Sequence, residues 1–504
     1  MTASSLAPAP APSAPRAGSL LGLELEMPLA KRSSGTSHAV QSYFDTLARV
    51  RAAQGRASTP IHAAGRCIGL QDARGESGLD NGFNLLETAF APIDGERPGL
   101  AGLHAWVVQE LRDAEEALAA EDAMVLNASE HPHCPITAEW YAQVRAPRPI
   151  YEELVGHRGW HHHLGIDAKA QNSPCTAVPV QDAARALNVV LALAPAAIAL
   201  YANSPIASGE PTGLKEHRLT LWPGMFAATR FPGDWMLQAL PDQPFDDLGA
   251  YFRWLYGPHT ASRSLPSDPG SGYKGGAPVY LAGDPALSTF LRASGWQASR
   301  PDGSQLTLTP SSAHFEYAQF AQFLDARWRF RLQSKPALAQ LLRAWDTPQG
   351  LEALLAEHGV SGYIEGRGPG ANFADPQLVQ EAGEAIARTT VISPSAIQLG
   401  LLRNLDQACD LVRSWGWATL KSMRDVAIRD ALADDRVHAL CRDVLGVCQG
   451  GLDAADHHWL AYPRHVCETR RTGADRMLTL WHSLAASPRD RLVGLCAARR
   501  ALAL

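Results

Sequence analysis

Residues 186–202, ALNVVLALAPAAIALYA, carry no charged side chain. A chain must either bury such a run in a sizeable core or pass it through a bilayer. Its length is borderline for a membrane span, which needs about 20 apolar residues, and Asn188 and Pro195 interrupt it. The fitting reading is a buried helix, kinked at Pro195 because the ring removes a backbone donor. Asp182 stands where a helix cap would.

Composition permits that core. Hydrophobic residues make up 46% of the 504 and charged ones 19%, which argues against global disorder. The length corresponds to roughly three domains, or to one large sheet with helices around it. A formal net charge of −6 leaves no electrostatic footprint for nucleic acid or an anionic membrane. The cysteines at 67, 134, 175, 409, 441, 448, 467 and 496 form no CxxC pair. They read as reduced thiols of a cytoplasmic protein. Residues 1–18 are rich in Ala, Pro and Ser and read as a flexible tail, neither signal peptide nor anchor.

LLGLELEMPL (20–29) predicts a strand. Ser37–Gly55 has helical spacing, with Val40, Phe44, Leu47 and Val50 on one side. Gly82–Ile93 predicts a second strand, Leu100–Leu118 a long helix, and Trp160–Ile166 a further strand. Residues 257–277 read as a Gly/Pro/Ser loop, either mobile or covering an active site. Beyond Gln377 the pattern is helical, with amphipathic stretches at Ala396–Ser414 and Met423–Gly446. This gives an α+β fold whose sheet is mixed or antiparallel. The expected division is a tail (1–18), a catalytic domain (19–404) and a helical C-terminal region packed on it (405–504).

The residues suited to chemistry are scattered. Glu24 and Glu26 are two apart on a strand, so both carboxylates leave one face while Leu23 and Leu25 leave the other. Paired hard oxygens suit Mg²⁺, and equally an ordinary solvated strand face. Glu87 becomes relevant if the second strand lies beside the first. On the predicted strand His161 and His163 share a face, suiting a metal, a phosphate or a plain polar edge. With His131 and His133 they also raise a zinc-hydrolase reading. Arg218 follows a Gly/Pro/Ser loop, and Glu365 and Arg367 share a strand face before a Gly-rich turn. An arginine fork matches carboxylate or phosphate, or forms a salt bridge. There is no Walker loop, GxSxG elbow or dinucleotide fingerprint.

In this order the pieces resemble the glutamate–cysteine ligase family, including bacterial carboxylate–amine ligases and the plant-type enzymes. GLELE (22–26) is similar to the family's opening Gly-x-Glu-x-Glu strand. NASEHPHCP (127–135) resembles its Gly-Thr-His-Pro segment, and GWHHHLGI (159–166) its paired-histidine strand. ALAPAAIALYANSPIASGEPTGLKEHRLTLW (192–222) resembles its apolar helix, Ala-Asn-Ser-Pro loop and Arg-x-x-x-Trp ending. GYIEGRG (362–368) and SAIQLGLLRN (395–404) resemble its late strand and the following helix. The chain departs from the family at Asp80–Glu87, where Glu-x-Gly-Gly-x-x-Glu is usual. It departs again at Arg367–Asn372, which replaces Arg-Gly-Ala-Asp, and in an insert at 314–332.

The resemblance implies a curved, largely antiparallel sheet forming an active-site funnel, in the manner of glutamine-synthetase-like ligases. It implies that Glu24, Glu26, Glu87 and Glu365 hold Mg²⁺ around ATP, with His161 and His163 near that cluster. Arg218 and Arg367 would steady the substrate carboxylate or the phosphoryl group in transfer. The implied reaction makes a gamma-glutamyl amide from glutamate and an amino-acid amine, cysteine first among candidates, in glutathione biosynthesis. The competing readings are the zinc hydrolase and a ligase-shaped protein that binds without catalysis.

Overall fold

Alternation builds the central strand. In β1 (Leu20–Lys31) the side chains of Leu21, Leu23, Leu25, Met27 and Leu29 are all buried, while Glu24 and Glu26 leave the opposite face. The computed structural model describes residues 17–166, 169–257, 265–266, 276–318, 325–484 and 487–504. Most of the predicted tail, most of the 257–277 loop and the middle of the 314–332 insert lie outside those residues.

β1 sits within a ten-stranded sheet whose pairings are all antiparallel. The other strands are β2 (Thr59–Ala63), β3 (Arg66–Asp72), β4 (Gly75–Leu79), β5 (Leu85–Phe90), β6 (Ile93–Asp94), β7 (Ala123–Val125), β8 (Asn172–Ala177), β9 (Ala326–Arg331) and β10 (Ser361–Gly366). Their order is β9-β10-β8-β1-β5-β4-β3-β2, with β6 and β7 also paired to β1. The sheet does not close, and helices cover its leucine face, so the fold is α+β.

Helices hold the sheet from behind. α1 (Tyr43–Ala53) buries Phe44, Leu47 and Val50 against α2 (Gly99–Ala119), which packs on β1 and β7. Val40, expected in that helix, is buried in the extended lead-in. The apolar run forms α3 (Ala183–Ala192) and α4 (Ala194–Leu200), bent by 46°. The break falls at Leu193, so Pro195 starts the second helix instead of kinking one helix, and Asp182 makes no side-chain cap bond. Among the described residues no single helix is long and apolar enough to cross a membrane. α5 (Ser393–Arg403) crosses the back of β8 and β10. There Gln398 Nε2 donates to the Pro174 and Ile364 carbonyls and to Thr176 Oγ1, each at 3.0 Å.

Three expectations need correction. Residues 160–166 are not a strand: Trp160 is buried, and His162–Gly165 form a 3₁₀ turn. The strand beside β1 is β8, about ten residues later. The predicted amphipathic stretch 396–414 is α5 plus a second helix, Leu405–Trp415, broken at Asn404. The stretch 423–446 likewise spans Trp417–Asp430 and Asp435–Gly451, where the Asp434 side chain accepts the Arg436 and Val437 backbone N–H groups. The short strands β2 to β4 have no counterpart in the sequence reading.

Candidate active site

Register decides which side chains meet. Residues directly opposite in antiparallel strands project from the same face. Glu26 stands opposite Glu87 on β5, and Glu24 opposite Ser173 on β8. Cys175 on β8 stands opposite Gly22 on one side and Glu365 on the other. Arg327 on β9 stands opposite Glu365, and Arg329 opposite Tyr363. Four neighbouring strands thus bring Glu24, Glu26, Glu87 and Glu365 onto one face, and a fifth adds two arginines.

Like charges set directly opposite oppose folding, and the acids show it. Burial, then Glu365 and Glu87, push the Glu24 carboxyl up to about 7. Burial, then Asp80 and Glu87, push Glu26 well above the usual carboxylate range. Glu24 makes no hydrogen bond or ion pair among the described residues. Glu26 accepts the Gln171 backbone N–H at 2.9 Å.

Glu365 behaves oppositely. Burial disfavours its charge, yet Arg327, Arg367 and Arg329 overcome this and hold its carboxyl well below the usual carboxylate range. Arg327 Nε and Arg367 Nη1 each lie 2.7 Å from one of its two oxygens, with Arg329 at 4.0 Å. Both oxygens therefore engage guanidinium groups, where the sequence reading expected them on a metal. The Gln171 amide, with its oxygen toward the donors, accepts from Arg367 Nη1 at 3.2 Å and from Ser173 at 3.2 Å. The face is acidic at β1 and β5 and basic at β9 and β10.

Lys169 was not foreseen. Its ammonium interacts with Asp80 and Glu26, lies 3.4 Å from His162 Nε2, and stands over the Trp222 ring at 5.3 Å. Burial draws its pKa down against the pull of those acids. Arg327 and Arg329 were also missed, since they fall in the unplaced insert. Their signal was ARWRFR (326–331), where basic and aromatic residues alternate with a strand's period of two.

The remaining candidates lie elsewhere. His161 is exposed and His163 half-buried, their ring centroids 5.6 Å apart. Besides His161, the charged neighbour of His163 is Glu139, not a sheet carboxylate. His162, between them, is buried on the Tyr141 hydroxyl at 3.0 Å. Arg218 is buried: its Nε reaches Glu216 at 2.5 Å and its Nη2 donates to the Gly368 carbonyl at 3.0 Å. It braces the turn that follows β10.

Among the described residues no three His, Cys, Asp or Glu side chains converge closely enough to hold a metal ion unaided. This removes the four-histidine zinc site. Nucleotide-bound Mg²⁺ needs only one or two carboxylates, because water and phosphate oxygens complete its shell. The hard oxygens of Glu24, Glu26 and Glu87, with Glu24 unpaired, suit that role.

Residues 21–260 match the sequence model of the glutamate-cysteine ligase family 2, the kind of family the motifs resemble. No curated protein matches the chain. Among solved structures, the chain is similar to a glutamate–cysteine ligase from Francisella tularensis in complex with AMP. Identity is 13%, coverage is 96% of this chain and 88% of that one, and the TM-score is 0.49. It is also similar to a bifunctional glutathione synthetase from Pasteurella multocida. There identity is 11%, coverage is 96% and 51%, and the TM-score is 0.43.

Proposed function

We propose that this chain, in keeping with the ligase family that its residues 21–260 match, is an ATP- and Mg²⁺-dependent carboxylate–amine ligase. The observation that carries the reading is the shared sheet face: Glu24, Glu26 and Glu87 at one end, Arg327, Arg329 and Arg367 around Glu365 at the other.

A carboxylate is a poor acyl donor, so the acid must be activated by attacking the terminal phosphorus of ATP, whose bond to the bridging oxygen breaks as ADP leaves. The amine then attacks the acyl phosphate, and phosphate leaves. Bound Mg²⁺ would supply charge neutralisation along the phosphates. Glu24, Glu26 and Glu87 would hold it. Arg367, aided by Arg327 and Arg329, would hold the anionic oxygens in transfer, with Glu365 fixing the direction of their forks. Lys169 stands beside the acidic end and supplies a further cation there. Glutamate is the donor we favour and cysteine the first acceptor to try, giving a gamma-glutamyl bond.

The test is ADP release from pairs of amino acids. Release should require both a carboxylate and an amine, stop on chelation of Mg²⁺, and fall by about a hundred-fold or more in Glu24→Gln. ADP formed equally fast without any amine would overturn the ligase reading. Calorimetry with Mg-ATP addresses the non-catalytic alternative, which gains if no binding is seen.

A further inference from the structure

Hydrophobic alternation fixes the register of β1 but leaves that of β4 and β5 open. In β5 the neighbours Leu85 and Leu86 are both buried, so apolar residues occupy both faces. In β4 two glycines, a glutamate and a serine accompany a single leucine. Such strands specify their pairing weakly, and a one-residue slip would carry Glu87 to the helix side.

A polar key stands there in place of leucines. Ser77 and Thr88, directly opposite each other, both donate their hydroxyls to Glu110 Oε1 on α2, at 2.7 and 3.1 Å. Arg51 Nη2 on α1 closes the group, donating at 2.6 Å to Glu110 Oε2 and at 2.6 Å to Ser77 Oγ. All four side chains are buried. Around them lie Asp113, held by Gln54, Gln109 and Arg56, and Asp72 at the end of β3.

Stability does not account for this group, in which three carboxylates face two guanidinium groups. Arg51 Nη1 lies 3.5 Å from Asp72 and Arg51 Nε 3.9 Å from Asp113. Neither nitrogen makes a hydrogen bond among the described residues. Apolar residues in place of a buried ion pair are often as stable or more so, and the best-attested use of such a pair is to set registry. The key acts one residue from Glu87: Thr88 follows it in β5, and Gly78, opposite Glu87, follows Ser77.

We propose that Arg51, Glu110, Ser77 and Thr88 are positioning residues for Glu87, fixing from behind the sheet the strand pairing that presents its carboxylate to Mg²⁺. The inference rests on the ligase reading, in which Glu87 helps to hold that ion.

Calorimetry follows Mg-ATP binding to the full chain, and denaturant unfolding is run on the same samples. Ser77→Ala/Thr88→Val removes both hydroxyls at nearly unchanged volume and should bind Mg-ATP about tenfold more weakly or worse. Ser77→Thr/Thr88→Ser exchanges the two side chains, keeps both hydroxyls and should bind like wild type. Arg51→Met/Glu110→Leu should unfold cooperatively at a midpoint close to wild type, yet bind as weakly as the first variant. A merely structural role would move the midpoint and spare the affinity. The proposal is overturned if the hydroxyl-free variant binds as tightly as wild type, or if the exchanged variant binds as weakly as the hydroxyl-free one. It falls too if neither the hydroxyl-free nor the apolar variant unfolds cooperatively. A wild type that binds no Mg-ATP removes the ligase reading and this inference with it, whereas equal binding by wild type and every variant removes this inference alone.

Discussion

In the folded protein Glu24 takes up a proton as the pH falls through about 7, because burial and its neighbours Glu365 and Glu87 disfavour the carboxylate. An unfolded chain protonates the same group only near pH 4. Between those values the folded state binds more protons, so this group's contribution to stability is complete below about pH 4. It is lost as the pH rises through about 7. The melting temperature should therefore fall from about pH 5 to about pH 8, with a shallower slope in Glu24→Gln. Millimolar Mg²⁺ should raise it more at the alkaline end, where the acids are ionised and crowded. A slope unchanged in Glu24→Gln would remove the carboxylate from this account. The spacing of Glu24 and Glu26 was legible from the strand's period of two. What each candidate arginine touches was not, because that depends on groups distant in the chain. Arg367 joins Arg327 on Glu365, whereas Arg218 turns to Glu216 and a carbonyl behind the β10 turn.

At the scale of elements, one strand separates two functions. Leu25 lies fully buried between Glu24 and Glu26, so its loss should act on folding alone. Leu25→Ala should cost about 2–5 kcal/mol in denaturant unfolding. Glu24→Gln should leave cooperative unfolding intact while removing turnover. β1 and β5 were readable because hydrophobic alternation survives in them. β8 was not: Pro174 lies inside it, and proline in a central strand ordinarily argues against one. It is tolerated because β10 pairs with β8 only from Cys175 onward, and Gln398 accommodates the Pro174 carbonyl. The histidine run drew the strand prediction to residues 160–166, although its one inward side chain, His162, packs with Tyr141 and Tyr151 in a turn. β9 went unplaced for a different reason: its partner β10 lies thirty residues further on, and only pairing reveals its role.

Across the whole molecule, the family match ends at residue 260, yet the face it begins is completed by β9 and β10. Later residues also reach back to its support. Arg499 is fully buried, 2.7 Å from Asp375, and donates to the Asn127 carbonyl at 2.9 Å and to the Asn203 side chain at 2.5 Å. Asn203 in turn donates to Asn127 and to the Ala371 carbonyl. Removing one partner leaves an uncompensated buried charge, so Arg499→Met should destabilise the protein by about 3–5 kcal/mol. The double variant with Asp375→Leu should recover part of that in equilibrium unfolding. No recovery would mean that the pair does not act as a unit.

That clasp has a temporal consequence. During synthesis the Asn127–Asn203 junction waits for an arginine made almost three hundred residues after Asn203. A nascent polypeptide that has not yet reached Arg499 lacks the guanidinium that joins Asn127, Asn203 and Asp375.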